Sequence, residues 1–546
     1  MRGVRLLKIV VTAGLLIGAG TRIYAQEQEE KLSEAKREMN RQVSQDQAIR
    51  QSKKDLKGSP YKGAVKTQIE YGHAAYSQEQ YALALDRYLR AYEKETDSAN
   101  LVSIAFLMGQ CQQRLNHPKA ASQHYNKIWL QGERSASFLQ AYVEALFAIG
   151  DYRKAEIVIE ELEKQGVESA MLRTRKESLE KMQEAVDMQQ MFGLLPEDVI
   201  LDTAINTAFS EYGPSLVQGE LYFSSSRPVE GQVLSDPRTG QGYSRLFSAR
   251  YDPIRKGWGE PTPVKGEVAG LRGNIGTFSY DSVGNTGYFT WVSGKATGIF
   301  TVQKAGDEWV NRTLFTFNYK QGTDDFLGKV AHPSVSKDGK RLLFVYRDPA
   351  SPNTGTDIWY VEKVERKQEP ATKKRRGRSS SASAPTATSS SRSKKKKQPE
   401  GEQIVTVNED WGVPVRLSDE VNSAGRESFP QWINDSMFVF SSDGHVGNGG
   451  MDMYLATVDP KQPSQVQSVD IFPRPINSSY DDGAVLPDPE HGFLILASNR
   501  HTRWGKTDNI YHIDKFGLKY AVEGYVFALP APDLPRHRRS LCQEQL

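Results

Sequence analysis

The sequence predicts two architectures in series, an α-helical repeat solenoid followed by a β-propeller of five blades. Three observations carry the prediction. Between residues 64 and 192, small and aromatic residues recur at fixed offsets in units spaced 37 and then 34 residues apart. After Pro196 the apolar pattern changes from a helical period near 3.6 to a strand period of 2. From there a phrase of strand, turn and strand returns five times, most plainly in Glu427 to Ala456, ESFPQWINDSMFVFSSDGHVGNGGMDMYLA.

At 546 residues the chain exceeds the roughly 250–300 that one core accommodates, so several domains are expected. Arg2, Arg5 and Lys8 precede an apolar run from Ile9 to Gly20 and a short polar exit, the pattern of a secretory signal peptide over residues 1–25. Cleavage is expected between Ala25 and Gln26, and export to the periplasm follows. No cysteine near that junction offers the acceptor of a lipoprotein anchor, and no later stretch reaches the about 20 apolar residues of a membrane span. Cys111 and Cys542 are the only cysteines, too few for a disulfide scaffold or a metal site, and Cys111 reads as a core residue. Residues 26–63 are charged and polar, a spacer without assigned function.

The helical region, 64–192, aligns Gly72, Ala84, Tyr88 and Ala91 with Gly109, Ala121, Tyr125 and Ile128, and more loosely with Val143, Ala155, Ile159 and Leu162. Each helix pair shows an apolar stripe that it cannot bury alone, so stacking is required. On these residues the region resembles tetratricopeptide repeats, whose grooves take extended peptides or partner helices. Residues 168–190 read as a charged capping helix.

The propeller is expected over 205–515. Aligned on Phe223, Phe289, Phe344, Phe440 and Leu496, its repeats have a period near 55–60 once an insertion is set aside, with Trp258-Gly259 and Trp411-Gly412 between units. Five blades are visible and a degenerate sixth stays open. His332-Pro-Ser-Val-Ser-Lys-Asp-Gly339, the strand after it and Asp357-Ile-Trp359 resemble the TolB-type, WD-like repeat. Asp357, Asp452 and Asp508 suggest a cation site at first sight, but in this setting they are expected to accept hydrogen bonds from turn backbone and fix blade corners. Gly444, Gly447, Gly449 and Gly450 lead into a strand with no Lys-Ser/Thr behind them, which excludes a phosphate loop. There is no G-x-S-x-G or H-E-x-x-H, and of nine histidines only His445, His491, His501 and His512 fall in the later blades. The expectation is therefore a chain that is not an enzyme, with no catalytic residue, metal or cofactor.

Between the third and fourth blades, residues 366–403 form a basic insertion. Arg366 to Lys397 holds 12 Lys/Arg and one acid, whereas the rest of the chain from Gln26 has 54 basic and 66 acidic residues. Such a tract is disordered by composition, and without interleaved aromatics it favours acidic envelope polymers over nucleic acid. Residues 516–546 contain one orphan strand, Lys519 to Phe527 with Glu523-Gly-Tyr-Val526 inside it, and then a Pro-rich end.

The whole order, signal peptide, tetratricopeptide stack, TolB-like propeller and Glu-Gly-x-Val strand, resembles the PorE-like periplasmic proteins of type IX secretion in Bacteroidetes across about residues 64–527. In that family the strand opens a regulatory-like β-sandwich and an OmpA-like peptidoglycan-binding module follows. Both are missing here, as is the lipoprotein cysteine, so a truncated member or a short paralogue is implied and peptidoglycan binding is not carried over. The resemblance implies a non-enzymatic scaffold that binds envelope or secretion-machinery proteins, at surfaces no residue pattern identifies. A TolB-like accessory protein of envelope integrity, or a propeller hydrolase or lyase working in the central funnel, are the alternatives; a funnel lined with carboxylates or histidines would favour the enzyme.

Overall fold

The computed structural model of the chain describes residues 46–184, 199–229, 235–293, 296–320, 329–348, 355–364, 404–405, 410–488, 490–491, 493–500 and 507–513. The signal segment, most of the spacer, the basic insertion and the C-terminal tail lie outside them. Two compact units are present: residues 1–134 with Pro237–Gly240, and residues 135–236 with 241–546. Among the described residues no helix is long and apolar enough to cross a membrane.

The first unit is helical: α1 (46–55), α2 (Gly63–Ser77), α3 (Tyr81–Tyr92), α4 (Ser98–Arg114) and α5 (Pro118–Leu130). Local chemistry sets the helix starts. Asp97 caps α4 by accepting the Asn100 N–H at 2.9 Å, Pro118 opens α5, and the carbonyls of Arg238 and Pro237 accept from Ala82 and Leu83 in the first turn of α3. The predicted offsets become contacts. A Cβ on Gly72 would stand 2.3 Å from the Tyr88 ring, and one on Gly109 would stand 2.3 Å from Tyr125. Both tyrosines are fully buried, so the rings have nowhere to retreat. Gly109→Ala is expected to cost about 1–3 kcal/mol by overpacking, which urea denaturation checks; a urea midpoint equal to that of the parent would show that α4 and α5 part without penalty. Cys111 is fully buried in this core as expected, and burial pushes its thiol up to about 12, which leaves it unreactive.

The second unit opens with α6 (Ala136–Phe147), α7 (Tyr152–Lys164) and α8 (Ala170–Glu184). Strand β1 (Ile200–Leu201) follows. Blade 1 is β2 (Glu211–Val217), β3 (Glu220–Ser225), β4 (Arg245–Asp252) and the short β5 (Gly257–Trp258) and β6 (Thr262–Pro263). Blade 2 takes β7 (Lys265–Gly266), β8 (Asn274–Asp281), β9 (Thr286–Ser293), β10 (Ala296–Ala305) and β11 (Glu308–Leu314). β12 (Tyr319–Lys320) pairs with β16 (Ile404–Val405) at the two sides of the insertion. Blade 3 is β13 (Val330–Val335), β14 (Arg341–Tyr346), β15 (Asp357–Glu362) and β17 (Val415–Arg416). Blade 4 is β18 (Glu427–Asn434), β19 (Met437–Ser442), β20 (Asp452–Asp459) and β21 (Gln462–Ile471), and blade 5 is β22 (Asp482–Asp488), β23 (Phe493–Ser498) and β24 (Asn509–Ile513).

Inner strands β2, β8, β13, β18 and β22 pack in sequence, and β22 meets β2, so the ring closes with five blades and no sixth. β1 supplies the outermost strand of blade 5, pairing Ile200 with His512 and Leu201 with Tyr511, so the N-terminal end of the propeller locks its C-terminal end. The aligned residues Phe223, Phe289, Phe344, Phe440 and Leu496 all lie on second strands, are buried, and oppose Phe247, Phe300, Trp359, Tyr454 and Tyr511. The core is not one volume. It consists of five apolar clusters, each between adjacent blades, which is why a lone blade has nothing to fold against.

Candidate functional site

The site is built where the inner strands begin, and a phrase in three blades builds it. Asn206-Thr207-x-x-x-Glu211, Asn422-Ser423-x-x-x-Glu427 and Asn477-Ser478-x-x-x-Asp482 each enter an inner strand. The asparagine is a clamp on the neighbouring blade. Asn477 accepts the Met453 N–H at 2.8 Å and donates to the Met453 and Phe472 carbonyls at 3.0 Å; Asn422 does the same with Ile358 and Leu417, and Asn206 with Ile510 and Asp202. The acid, 0 % exposed in all three, takes the hydroxyl of the Thr/Ser four residues before it, Thr207, Ser423 or Ser478. The clasps sit in polar loops rather than on the apolar strands that carry the blade period, and their signal in the sequence is spacing: Asn422 and Asn477 stand one 55-residue period apart.

Above the clasps of blades 4 and 5 lies a charged funnel mouth. Arg426 binds Asp443 through its backbone N–H at 2.6 Å and its Nε at 2.7 Å, while its side chain stays half-exposed. Burial presses the Asp443 carboxyl upward, but Arg426 outweighs it and holds the group below the usual carboxylate range. Asp481 accepts from Met451 N–H at 2.8 Å and is raised by burial against the pull of Arg426. Asp508 is pushed up to about 6 by burial and then by Asp481 and Glu211. Beneath them Asp452, 1 % exposed, accepts the N–H groups of Asn448 and Gly449 at 2.7 and 3.1 Å through one oxygen while the other has no partner. Burial, reinforced by Asp482, pushes its carboxyl up to about 8, which favours its neutral form.

The helices of the same unit are fastened to this mouth. Arg175 of α8 is 2 % exposed and meets Glu144 of α6 with two bonds, Nε to Oε1 at 2.9 Å and Nη2 to Oε2 at 2.7 Å. Burial opposes its charge, Glu144 more than offsets that, and the guanidinium is held above its ordinary value. Arg175 also donates to the Asp443 carbonyl, and Ser178 accepts the Gly447 N–H at 3.1 Å. From α7, Tyr152 donates to the Asn448 carbonyl and accepts from Arg474 at 2.8 Å. The charge pattern of 168–190 suggested only a capping helix; burial of Arg175 and Ser178 against propeller loops is decided by the tertiary fold.

The aspartates singled out in the sequence separate. Asp452 binds turn backbone as expected, whereas Asp357 takes the guanidinium of Arg416 at 2.9 Å. The strand register places Asn509, not Asp508, at the equivalent position in blade 5, because Ser442 faces Asp452 while Ser498 faces Asn509. The glycines of 444–450 serve close approach: a Cβ on Gly449 would stand 1.9 Å from the Ser479 carbonyl oxygen, and one on Gly447 would stand 2.2 Å from Asp452. His445 contacts the blade 4 clasp, His491 pairs with Asp488 at 2.8 Å on the opposite ends of the strands, and His501 lies outside the described residues. Among the described residues no cluster of His, Cys, Asp and Glu has the arrangement of a metal site.

No family profile matches the chain, and no curated protein does. Solved structures match its fold. TolB from Acinetobacter baumannii is 13% identical over 50% of this chain and 47% of its own, with a TM-score of 0.26, so the match spans less than half of that protein. A glycoside hydrolase, so described provisionally, from Parabacteroides distasonis is 9% identical over 58% of this chain and 97% of its own (TM-score 0.30), and the β-1,2-mannobiose phosphorylase of Listeria innocua is 9% identical over 58% and 94% (TM-score 0.31). The likeness is one of fold alone. It nevertheless corrects the expectation that the chain is not an enzyme: the matched propellers are mostly enzymes, hydrolases and a phosphorylase among them, and groups brought together from separate loops leave no linear motif. The expectation is withdrawn.

Proposed function

We propose that the chain is an exported, periplasmic interaction platform of the cell envelope, holding protein partners on a helical groove and on its propeller, and that the assembly it serves is a secretion machine of the type IX kind. The observation that carries this reading is the fastening of α6, α7 and α8 to blades 4 and 5 through the Arg175–Glu144 pair, Ser178 and Tyr152. Helices bonded to a propeller in this way suit an adaptor that must hold one partner in register with another. The signal-like first 25 residues support export, and the acidic body with its basic insertion supports electrostatic contact with envelope polymers.

Crosslinking of a tagged copy in its native envelope, followed by mass spectrometry, tests the proposal. Recovery of periplasmic and outer-membrane secretion components is the expected result; recovery of the chain alone rejects it. A second reading, a hydrolase or lyase acting in the funnel, is supported by the raised Asp481 and Asp508 carboxyls side by side at the mouth. It requires that Asp508→Asn abolish turnover of a glycan or peptide while leaving the crosslinks intact.

A further inference from the structure

Three blades carry the clasp, and two of them complete it with an arginine. In blade 1, Arg227 donates from Nε to Ser225 at 2.9 Å and from Nη2 to Glu211 at 3.2 Å and to the Ile205 carbonyl at 2.5 Å. In blade 5, Arg500 repeats this: Nε to Ser498 at 3.1 Å, Nη2 to Asp482 and the Ile476 carbonyl at 2.6 Å, and Nη1 to the Pro475 carbonyl at 2.9 Å. Blade 4 has Gly444 at that place, and a Cβ there would stand 1.9 Å from Ser423 Oγ, so no side chain fits. The next residue, His445, spans the same two ends. Its Nδ1 is 2.9 Å from Ser442 Oγ, and its Nε2 is 3.0 Å from the Glu420 carbonyl, the counterpart of Pro475.

A carbonyl only accepts, so Nε2 carries a hydrogen and the neutral ring offers Nδ1 as an acceptor. Ser442 then has one hydrogen for two claimants, His445 Nδ1 and Glu427 Oε1 at 2.8 Å. Glu427 Oε2 has no partner, although the side chain is 0 % exposed.

We propose that the blade 4 clasp is a proton-operated catch, in which His445 replaces the permanently charged arginine of blades 1 and 5, so that protons gained or lost along His445–Ser442–Glu427 set how firmly the β19–β20 loop holds α7 and α8. The loop that carries His445 also carries the Asp443 carbonyl, Gly447 and Asn448, which bind Arg175, Ser178 and Tyr152. Other charges face the catch from every side: Arg426 and Asp443 beside it, Asp357 from β15, Asp452 and Tyr454 from β20, and Arg175 with Glu144 from the helices.

Burial pushes the Glu427 carboxyl up to about 7 against the Ser423 and Ser442 hydroxyls, so its contribution to the closed state is present in acid and lost as pH rises through about 7. Burial lowers His445, so its contribution is present above the ordinary imidazole value and lost as pH falls through its own. The catch holds best in the mildly acid window between.

Hydrogen exchange with mass spectrometry on the full chain, in an Asp452→Asn background that removes the neighbouring titration, reads residues 442–452 and 170–184. Protection at pH 6 is expected to exceed that at pH 8, with Glu427 contributing a factor of about ten. Glu427→Gln should erase that factor, and His445→Gln should keep it while removing the decline at lower pH. Equal protection at both pH values, or a gain that survives Glu427→Gln, overturns the proposal. Should either variant fail to fold, the Asp452→Asn chain with ¹³C-labelled histidine decides: an inflection of the His445 resonance near pH 7, below which its own titration lies, supports the catch, and a curve without that inflection overturns it.

Discussion

Arg175→Ala will detach α8 from the propeller and cost about 1.5–3 kcal/mol, the loss expected when charge-assisted hydrogen bonds to a half-buried carboxylate are removed. The residue is 2 % exposed, its guanidinium lies 5.0 Å from the centre of the Phe147 ring, and removing it leaves Glu144 without the two bonds it receives and opens a void beside the ring. Protease cleavage in 170–184 and a lowered urea midpoint are the expected readouts. Arg175→Met, which restores volume without charge, paired with Glu144→Gln should recover part of the loss, because an apolar isostere of a buried pair is often tolerated. If Arg175→Ala leaves both readouts unchanged, the pair does not hold the helix.

Asp452→Asn is expected to stabilise the second unit by about 1–3 kcal/mol at pH 8 and to give no gain at pH 4. The sign follows from the direction of the shift. With the folded carboxyl pushed up to about 8, its contribution is fully present below the unfolded value of 3.8 and is lost as pH rises through about 8. Asparagine keeps an acceptor for the Asn448 and Gly449 N–H groups and has no proton to lose. Blade 5 already uses this solution, with Asn509 at the equivalent register position. Denaturation midpoints from pH 4 to 9 should therefore fall with rising pH more steeply in the parent than in the variant; parallel curves would mean that Asp452 is ionised in the folded chain.

Much of the architecture was legible because repetition reports it. Gly72 with Tyr88 and Gly109 with Tyr125 are read from a constant offset of sixteen residues, and the contact they predict is the one that forms. The five buried second-strand residues are likewise periodic. The clasps are equally periodic, since Asn-Ser/Thr-x-x-x-Glu/Asp leads into three inner strands, but only the fold shows that their polar groups are buried.

By itself the sequence determined what short-range pattern determines: helix pairs that must stack, five blades in order, and a buried Cys111. Tertiary structure alone decided the rest. β1 is two residues long and has no period, so only ring closure shows that Ile200 and Leu201 complete blade 5. A one-residue difference of register put Asn509 where Asp508 was expected, and nothing local distinguishes the two. Arg175 and Glu427 look like surface charges in a linear reading, and Asp452 like a blade corner. Their burial, and with it their altered proton affinities, exists only once blades from distant parts of the chain and three helices converge on one mouth, where water is displaced and each charge depends on the partners the fold brings to it.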